Sequence, residues 1–348
     1  MAGRQLELTR AQILAFRRSS GGLDDRLSPG PESLRRAAWA GLQDSMPRAA
    51  LLSIHARVES TQPTTWEDPS LVQLWGPRFN AYAVAARDLA VFSLGRLPAD
   101  PEGRRFAEAT ADALEAFLEG RRMTYGEAGR GLGVHPNRLR YAAPTGRVLI
   151  RWDGARQPTV WTMPPPEVDP VDARLELARR HLHMFGPSTP AAFARWAGIR
   201  PALARAAFGA LGGSLTPVST PIGGAWILAA DEARFRDGDE SALARPSEPG
   251  VGARLLPSGD AYFLLQGADR ELLVPDAECR RALWPPRVWP GAVLVGGEIV
   301  GTWRRADADP AVEPWRRLSR GERDAVQAEA EAMPLPGVGG RIRVRWVG

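Results

Sequence analysis

An internal repeat constrains the fold of this chain more than any other feature of its sequence. Residues 101–167 are predicted to form helix, helix, turn and helix, followed by a hairpin of two short strands, and residues 168–235 repeat this order. It is the order of a winged helix-turn-helix, in which the hairpin forms the wing. The sequence therefore predicts an α+β protein with tandem winged helix-turn-helix modules.

Helix caps and turn residues mark the boundaries of both repeat units. Thr124 and Thr189 stand where a side chain caps a short helix. The strands RVLIRW and PTVWTM join around Asp153-Gly154, a hairpin signal, and LTPVST joins GAWILA in the same way. Before the first unit's turn, a long helix is predicted to bury one face, formed by Phe106, Thr110, Ala113, Leu114, Phe117 and Leu118.

Residues 1–100 are predicted to be a further winged-helix-like module. Thr9 with Gln12 makes a capping box, and later helices are expected near 33–42 and over Pro47–Val58. The stretch WGPRFNAYAVAARDLAVF is predicted to be a short strand or turn followed by a helix, so we locate no wing in this module.

Residues 236–348 are predicted to be a β-rich C-terminal region. It opens with an exposed loop over 236–252, because this stretch is polar and rich in Pro and Gly. Two segments, ARLLPSGDAYFLLQ and AVLVGGEIVGTWRR, are predicted to be strands, the second turning at Gly296-Gly297. A helix near 319–333 and a final strand follow.

The composition narrows the classes of protein. The 348 residues suggest several domains, and the single Cys279 excludes an internal disulfide and a thiolate metal cluster. All 45 basic residues are arginine, and the net charge is only +5. Arginine binds phosphate in a bidentate manner, but so small a net charge does not by itself establish a nucleic-acid partner.

Several kinds of site are not expected. Four histidines are present, and His181 and His183 point apart on a helix, so we expect no metal. No phosphate-binding glycine loop or dinucleotide motif occurs, and we expect no cofactor. Neither a signal core nor a membrane-spanning apolar run is found, so we expect a cytoplasmic protein without a membrane partner.

The third helix of the first repeat unit is a candidate DNA-reading element. In a winged helix this helix enters the major groove. Here it is HPNRLRYAA, which offers Asn137, Arg138 and Arg140 for bases or phosphates. The alternative is a solvated helix face, since many winged helices bind only proteins. The corresponding helix of the second unit, RPALARAAFGALG, has fewer polar side chains that reach outward.

Two strands of the C-terminal region also carry candidate phosphate contacts. The final GRIRVRWVG alternates Arg341, Arg343 and Arg345 with apolar residues, which places three cations on one face. Trp303 and Arg304, with Arg305 beside them, stand at the end of another strand. The alternative for both is an ordinary exposed strand face.

The segment AGLQDSMPRAALLSIHAR, residues 40–57, places polar residues between two apolar helices. Gln43, Asp44 and Ser45 are candidate catalytic residues, and Arg48 and Arg57 are predicted to contact DNA. The alternative is a helix-to-helix corner in which Asp44 or Ser45 caps the second helix.

This corner, the repeated units and the block RLLPSGDAYFLL…ALWPPRVWPGAVLVGGEIVGTWRR resemble the AlkZ-like family of winged-helix DNA-binding proteins and DNA glycosylases. FGPSTPAAFARWAGI is a second similar stretch, and the resemblance covers nearly the whole chain. It implies tandem winged helices that form a C-shaped, concave, cationic DNA-binding face without a metal or a cofactor.

The resemblance also implies where the active corner lies. Characterised family members carry Gln, an apolar residue, then Gln or Asp. One register aligns Gln43 with the first position, Asp44 with the apolar position and Ser45 with the last. We favour this register because Pro47 to Arg57 then follows the family's spacing. The alternative register puts Gly41 first and Gln43 last.

Three functional hypotheses follow. The first is a monomeric, nucleoid-associated protein on double-stranded DNA, a monofunctional glycosylase that removes bulky alkylated or crosslinked purines. In it, Gln43 orients a water and Asp44 steadies the sugar cation or takes a proton. The second is a DNA-binding regulator, or a resistance factor that shields lesions without chemistry. The third is a protein-interaction scaffold.

Overall fold

Helices and strands are mixed along the chain, as expected for the predicted α+β class. The computed structural model describes residues 6–154, 156–243, 252–306, 309–335 and 342–347. The α-helices are α1 (Arg10–Ser20), α2 (Pro31–Ala37), α3 (Ala49–His55), α4 (Leu89–Ser93), α5 (Pro101–Leu118), α6 (Tyr125–Gly131), α7 (Pro170–Phe185), α8 (Pro190–Ala197), α9 (Pro201–Leu211), α10 (Glu232–Leu243), α11 (Asp269–Leu273), α12 (Ala277–Leu283) and α13 (Arg320–Glu331).

The strands form three sheets. They are β1 (Leu6–Glu7), β2 (Leu42–Gln43), β3 (Leu71–Trp75), β4 (Ala81–Ala85), β5 (Met123–Thr124), β6 (Val148–Arg151), β7 (Thr159–Thr162), β8 (Leu215–Thr220), β9 (Gly223–Leu228), β10 (Arg254–Leu256), β11 (Gly291–Val295), β12 (Glu298–Ala306), β13 (Asp309–Pro314) and β14 (Arg345–Trp346). The sheet orders are β2-β4-β3-β6-β7-β5, β1-β8-β9 and β10-β11-β12-β13-β14.

Several helices begin at the predicted polar caps. Thr9 with Gln12 and Thr124 with Glu127 form complete capping boxes, and Thr189 accepts from the amide of Ala192. The third helix of the first repeat unit, which starts at the predicted proline, is a 3-10 helix over Pro136–Thr145. The hairpins β6–β7 and β8–β9 are antiparallel, as predicted.

The buried face of α5 differs from the predicted one by one position. Ala107, Ala111, Leu114 and Leu118 are buried, whereas Phe106 is 38% exposed. The predicted face followed the two phenylalanines, but the core here accepts the smaller alanines because the 3-10 helix over 136–145 packs closely against α5. Phe106 is therefore available at the surface.

The stretch after residue 70 was predicted only in part, because it forms a hairpin and the predicted helix is limited to α4 and the 3-10 turn that follows it. β3 and β4 pair in antiparallel register and join through Gly76–Asn80, and β3 continues the sheet by pairing with β6 at Gln73 and Ile150. Gly76, Pro77 and Asn80 are turn residues between two apolar runs, a pattern that indicates a second strand after the turn before any helix begins. The segment 1–100 thus contains the hairpin that we had not located.

The N-terminal strand and helix pack against residues of the second repeat unit. β1 pairs in parallel with β8, and α1 packs along α10 and α7. The rings of Phe16 and Phe235 stack with their centroids 3.7 Å apart. The segment 1–100 is therefore not a self-contained module, because its first helix completes a neighbouring core.

The C-terminal region matches its prediction in part. The hairpin at Gly296-Gly297 and the helix α13 are observed. The loop predicted over 236–252 is wrong up to Leu243, since α10 extends to that residue, and residues 244–251 lie outside the described part of the chain. The strand predicted over ARLLPSGDAYFLLQ is limited to β10, because the chain turns at Gly259 and forms a 3-10 helix from Ala261.

A buried ion pair joins the helix α3 to the C-terminal region. The guanidinium of Arg57, 1% exposed, donates to both carboxylate oxygens of Asp260, at 2.7 and 2.8 Å. Asp260 also accepts from the Ser53 hydroxyl at 2.7 Å. Arg57 holds the pKa of the Asp260 carboxyl below its ordinary value, against the effect of burial. The carboxylate is therefore ionised, and the two segments are held together by opposite charges.

We expect the substitution Asp260→Asn to lower the free energy of unfolding by about 3–5 kcal/mol, because it leaves the Arg57 charge buried without a counter-charge. Urea denaturation followed by tryptophan fluorescence measures this difference.

The matched control is Glu32→Gln, which removes the acid of an exposed pair with Arg87 and is expected to cost less than about 1 kcal/mol. Equal losses in the two variants would show that the buried pair contributes no more than a surface one.

Candidate functional site

The corner after α2 presents two of the three candidate catalytic residues to the surface. Gln43 ends the short strand β2, so successive side chains point to opposite sides. Leu42 and Asp44 are buried, whereas Gln43 and Ser45 are half-buried. The amide of Gln43 donates to the Ser45 hydroxyl at 2.6 Å. Gln43 and Ser45 therefore form one polar pair, and Asp44 is separated from them.

Gly41, directly before the strand, has no room for a side chain. Its φ is +71°, and a Cβ there would lie 2.9 Å from the ring of Tyr82 and 3.0 Å from that of Phe92. Contacts this close are essentially absent for real side chains. No residue other than glycine fits this position without a shift of the core.

The β3–β4 turn supports Gln43 from the other side. Arg78 donates to Gln43 Oε1 at 3.2 Å, and the buried hydroxyl of Tyr82 lies 3.4 Å from the same oxygen. Arg78 and Phe79 both have left-handed backbone, with φ of +56° and +59°. Two adjacent residues of this kind cost free energy, so the surrounding contacts must hold the turn in place.

Gly198, at the end of α8, provides one of these contacts. Its φ is +70°, and a Cβ there would lie 2.9 Å from the backbone nitrogen of Arg78. The glycine lets the end of α8 approach the turn closely. The second repeat unit thereby helps to position Arg78 beside Gln43.

An open pocket of about 340 Å³ lies in front of the polar pair. Three segments far apart in the sequence line it: the corner, the β3–β4 turn and the C-terminal region. The lining residues are Gln43, Ser45, Met46, Arg78, Asn80, Ser258, Leu264, Arg287, Val288 and Trp289. In the described part of the chain, none of these carries a carboxylate. The pocket thus offers neutral polar groups and two guanidinium groups.

Asp44 forms part of the interior and does not line this pocket. It is 4% exposed, and its Oδ1 accepts from the amide of Ala50 at 2.9 Å. Asp44 thus satisfies one free amide in the first turn of α3, although the N-cap position itself is Arg48. Its Oδ2 accepts from Gln73 at 2.7 Å, and Gln73 in turn accepts from the amide of Trp152 at 2.7 Å. Burial raises the pKa of the Asp44 carboxyl to about 6.

Two arginines share one aromatic ring near this carboxyl. The guanidinium carbons of Arg48 and Arg151 lie 4.5 and 3.7 Å from the ring centroid of Trp66. Both positive charges act to lower the pKa of Asp44, against the larger effect of burial. Arg48 was a predicted DNA contact, whereas Trp66 and Arg151 were not identified from the sequence.

Two of the predicted DNA contacts are wrong, because the structure buries them. Arg57 is occupied by Asp260 and by the carbonyls of Gly21 and Ser53. Trp303 is 5% exposed, and its ring nitrogen donates to the carbonyl of Leu256 at 2.8 Å. Both side chains are buried, so neither reaches a phosphate at the surface.

The other predicted DNA contacts lie on separate parts of the surface. Asn137 and Arg138 are exposed and Arg140 is half-buried, all on the 3-10 helix. Arg304 is exposed and donates to the carbonyl of Val288, which lines the pocket. Arg343 and Arg345 are exposed beside half-buried Val344 and Trp346, as their alternation predicts, and Arg341 lies outside the described residues.

Sequence reasoning missed Arg78, Asn80 and Arg287 as pocket residues. The first two lie in a stretch predicted to be a short strand or turn before a helix, and no site was predicted there. Arg287 lies between prolines, a pattern that indicates a loop but no site. The corner Gln43 to Ser45 was the one part of this pocket that the sequence indicated.

Within the described ranges, no group of three His, Cys, Asp or Glu side chains is placed to hold a metal ion. His181 is buried with Ser188 2.8 Å from its Nε2, and burial lowers its pKa to about 3. His183 lies 2.9 Å from Asp231 on the other side of the helix. No helix among the described residues has both the length and the apolar character needed to cross a bilayer.

Comparison with known proteins assigns the chain to a family. A family model described as DNA glycosylase AlkZ-like matches residues 36–334, which is most of the sequence. The chain belongs to the AlkZ-like DNA glycosylase family. The matched part of this AlkZ-like protein includes the corner at Gln43 and every residue that lines the pocket. As a member of the family it is assigned to DNA repair, with DNA as its partner.

A solved structure supports the fold of this AlkZ-like protein. The Streptomyces sahachiroi DNA glycosylase AlkZ is similar to it, with a TM-score of 0.76 and 21% sequence identity, over 98% of this chain and 100% of that one. At this identity the similarity shows a shared fold. Comparison with curated protein sequences found no match.

We expect the stability of this AlkZ-like protein to fall by about 2 kcal/mol between pH 4 and pH 7 relative to its Asp44→Asn variant. The carboxyl has a pKa of about 6 when folded against an ordinary value of 3.8. The folded state therefore binds the proton more tightly, so this contribution is fully present below pH 3.8 and is lost as the pH rises through 6. Urea denaturation of both proteins across this range measures the difference.

Asn at position 44 retains the acceptor for Ala50 and does not titrate, so the difference between the two proteins isolates the carboxyl. Parallel pH profiles for the two would mean that Asp44 is not desolvated as its surroundings indicate.

Proposed function

We propose that this protein is a monofunctional DNA glycosylase that removes bulky alkylated or crosslinked purines from double-stranded DNA. One observation carries the proposal: Gln43 and Ser45 are hydrogen-bonded to each other at the edge of an open pocket, while Asp44 between them is buried. The family supports the reaction class, and this geometry supports Gln43 and Ser45 as the residues that perform it.

The alternation at the corner supports one register of the family's motif. Gln43 occupies the first polar position, Asp44 the inward position that is apolar in other members, and Ser45 the second polar position. The alternative register would place the first motif residue at Gly41, where no side chain fits. Gln43 and Ser45 are therefore the residues to test.

The pocket suits a leaving group that already carries positive charge. A purine alkylated on a ring nitrogen departs as a neutral base: the bond from C1′ breaks, and its electron pair neutralises the ring. A water then adds to C1′ and loses its proton to solvent. The Ser45 oxygen keeps one lone pair beside the Gln43 amide and accepts a hydrogen bond from this water. Gln43 Oε1 accepts a second one in place of its long 3.4 Å contact with the Tyr82 hydroxyl, and the two bonds direct the lone pair of the water at the sugar. No strong acid or base is required for such a substrate.

The arginines of the pocket have a separate role in this proposal. Arg78 and Arg287 bind the phosphates that flank the damaged nucleotide. These ion pairs offset the repulsion between the two arginines and a cationic base. Arg78 also orients Gln43 through its hydrogen bond to Oε1. The open shape of the pocket suits a bulky lesion that is not fully enclosed.

The DNA is proposed to lie along a concave face formed by tandem winged-helix modules. Asn137, Arg138 and Arg140 contact one part of the duplex from the 3-10 helix, where two of them are exposed. Arg48, with Arg151 beside it on Trp66, contacts the backbone near the corner. Arg304, which donates to the pocket residue Val288, contacts it from the C-terminal side.

A second function is favoured by a specific observation. The second polar position of the motif is Ser45, and no carboxylate lines the pocket within the described residues. A site without a base is also suited to binding a lesion and shielding it, without chemistry. Release of the base distinguishes the two functions.

We expect Gln43→Ala to lower the rate of base release about 100-fold, because it removes the group that orients the water. The substrate is duplex DNA with one N-alkylated purine, and release is read as alkali-cleavable abasic sites. Ser45→Asp is expected to raise the rate about tenfold, since it restores a carboxylate next to Gln43.

Gln62→Ala is the matched control, because this amide is exposed and lies outside the pocket. Tight binding by the wild-type protein without any release favours the shielding function. Equal rates for wild type and Gln43→Ala would remove Gln43 from the reaction.

We expect Arg287→Ala to weaken binding to duplexes of any sequence and to reduce the slope of log Kobs against log salt by about one. This is the result of losing one phosphate contact. Fluorescence anisotropy over a series of salt concentrations measures the slope.

The control is Arg281→Ala, an exposed arginine of α12 that pairs with Glu278 and is not part of the pocket. If both variants change the slope equally, Arg287 has no specific contact.

A further inference from the structure

Phe79 lines a groove that is distinct from the pocket at Gln43. The groove holds about 180 Å³ and lies between α5, the 3-10 helix over 136–145 and the start of α9. It shares no lining residue with the Gln43 pocket. The two sites are nevertheless joined by consecutive residues, since Arg78 contacts Gln43 and Phe79 lines the groove.

Three aromatic rings form an apolar surface in this groove. Phe79 and Tyr141 have centroids 5.0 Å apart, and Phe106 and Tyr141 have centroids 5.7 Å apart, both with edge-to-face geometry. Tyr141 is 48% exposed and Phe106 is 38% exposed, although both are large apolar rings. A pair of neighbouring exposed rings of this kind indicates a binding surface rather than a core.

The groove is bordered by positive charge. Arg138 lies over the ring of Phe106 at 4.8 Å, and Arg96 lies over Phe79 at 5.0 Å. Arg96 is buried and donates to the carbonyls of Ala197 and Trp75, so of these two cations Arg138 is the one that reaches the surface at this border. Arg200 is exposed at the rim and pairs with Asp100 at 3.5 Å, so that one acidic group is neutralised. The border is therefore cationic.

We propose that this groove binds one unpaired nucleobase of DNA by stacking, close to the nucleotide held at Gln43. The inference rests on the proposed DNA binding. Exposed aromatic rings and guanidinium planes are the surfaces on which unpaired bases stack, and the exposed Arg138 at the border fits an adjoining phosphate. The volume, below the 300–1,000 Å³ typical of pockets for larger ligands, suits a single ring system.

The proposed substrate supplies such a base. A bulky adduct or a crosslink disturbs pairing, and displacement of the damaged nucleotide toward Gln43 leaves its partner or its neighbour unstacked. The turn that carries Arg78 and Phe79 places one residue at each site, and both are held in left-handed backbone. By stacking the unpaired base, the groove lowers the free energy of the opened duplex.

Binding to a duplex with one central bulged base, compared with the same duplex fully paired, tests this inference. We expect the wild-type protein to prefer the bulged duplex about tenfold by fluorescence anisotropy, the size of effect that one stacked base gives. Tyr141→Ala should abolish the preference and leave the affinity for the paired duplex unchanged. Tyr141→Phe should retain it, because the ring remains.

A second readout uses 2-aminopurine as the bulged base. Stacking on an aromatic ring quenches its fluorescence, so we expect quenching with wild type and Tyr141→Phe, and its loss with Phe106→Ala. Val171→Ala, an exposed apolar residue of α7 outside the groove, is the control. Thermal melts verify that each variant is folded. If Tyr141→Ala does not fold, quenching of 2-aminopurine by the wild-type protein still tests whether the groove stacks a base.

The outcomes separate this inference from the proposed function. Failure of the wild-type protein to bind either duplex overturns DNA binding itself. Equal affinity for the paired and the bulged duplex, or an unquenched 2-aminopurine with the wild-type protein bound, overturns the groove alone and assigns it to a protein segment. An unchanged preference in the folded Tyr141→Ala variant also overturns it.

Discussion

The structure depends on the burial of α3, a helix of seven residues that are all removed from solvent. A buried helix must satisfy the free amides at its start and the free carbonyls at its end. Asp44 accepts from the amide of Ala50 at the start, and Arg57 donates to the carbonyl of Ser53 near the end. Arg57 then requires a buried acid, which Asp260 provides, so satisfying one helix fixes the C-terminal region against the corner.

The two acids that satisfy α3 also position the walls of the Gln43 pocket. Asp260 lies between Ser258 and Leu264, which form part of the far wall, and Asp44 lies between Gln43 and Ser45, which form the near wall. The two acids that satisfy α3 thus also set the distance across the site. The carboxylate of Asp44 is used for structure and is absent from the pocket, which leaves a neutral polar pair for chemistry.

Local signals in the sequence were sufficient for the elements that they mark. The capping box at Thr9, the helix cap at Thr124 and the hairpin turn at Gly296 fix conformation over a few residues, and they were predicted correctly. The docking of α1 on α10, the burial of Arg57 and the three-segment pocket arise from contacts between residues far apart in the chain. No local pattern contains them. The corner at Gln43 was found because polar residues interrupt an apolar run, but the inward direction of Asp44 required the strand β2.

Arginine usage explains why charge was the least reliable guide to the DNA contacts. With no lysine in the chain, arginine also serves as a connector in the interior, because its planar fork donates to several carbonyls at once. Arg17, Arg96 and Arg174 are buried, and each donates to carbonyls of a segment distant in sequence. Such residues connect the segments by hydrogen bonds and contribute little to the positive charge of the surface. The arginines that can contact a phosphate are the exposed ones. Of these, Arg287 lines the Gln43 pocket and Arg138 borders the aromatic groove. The residues that recognise DNA in this protein are therefore distinguished by exposure and neighbours, and residue type alone does not identify them.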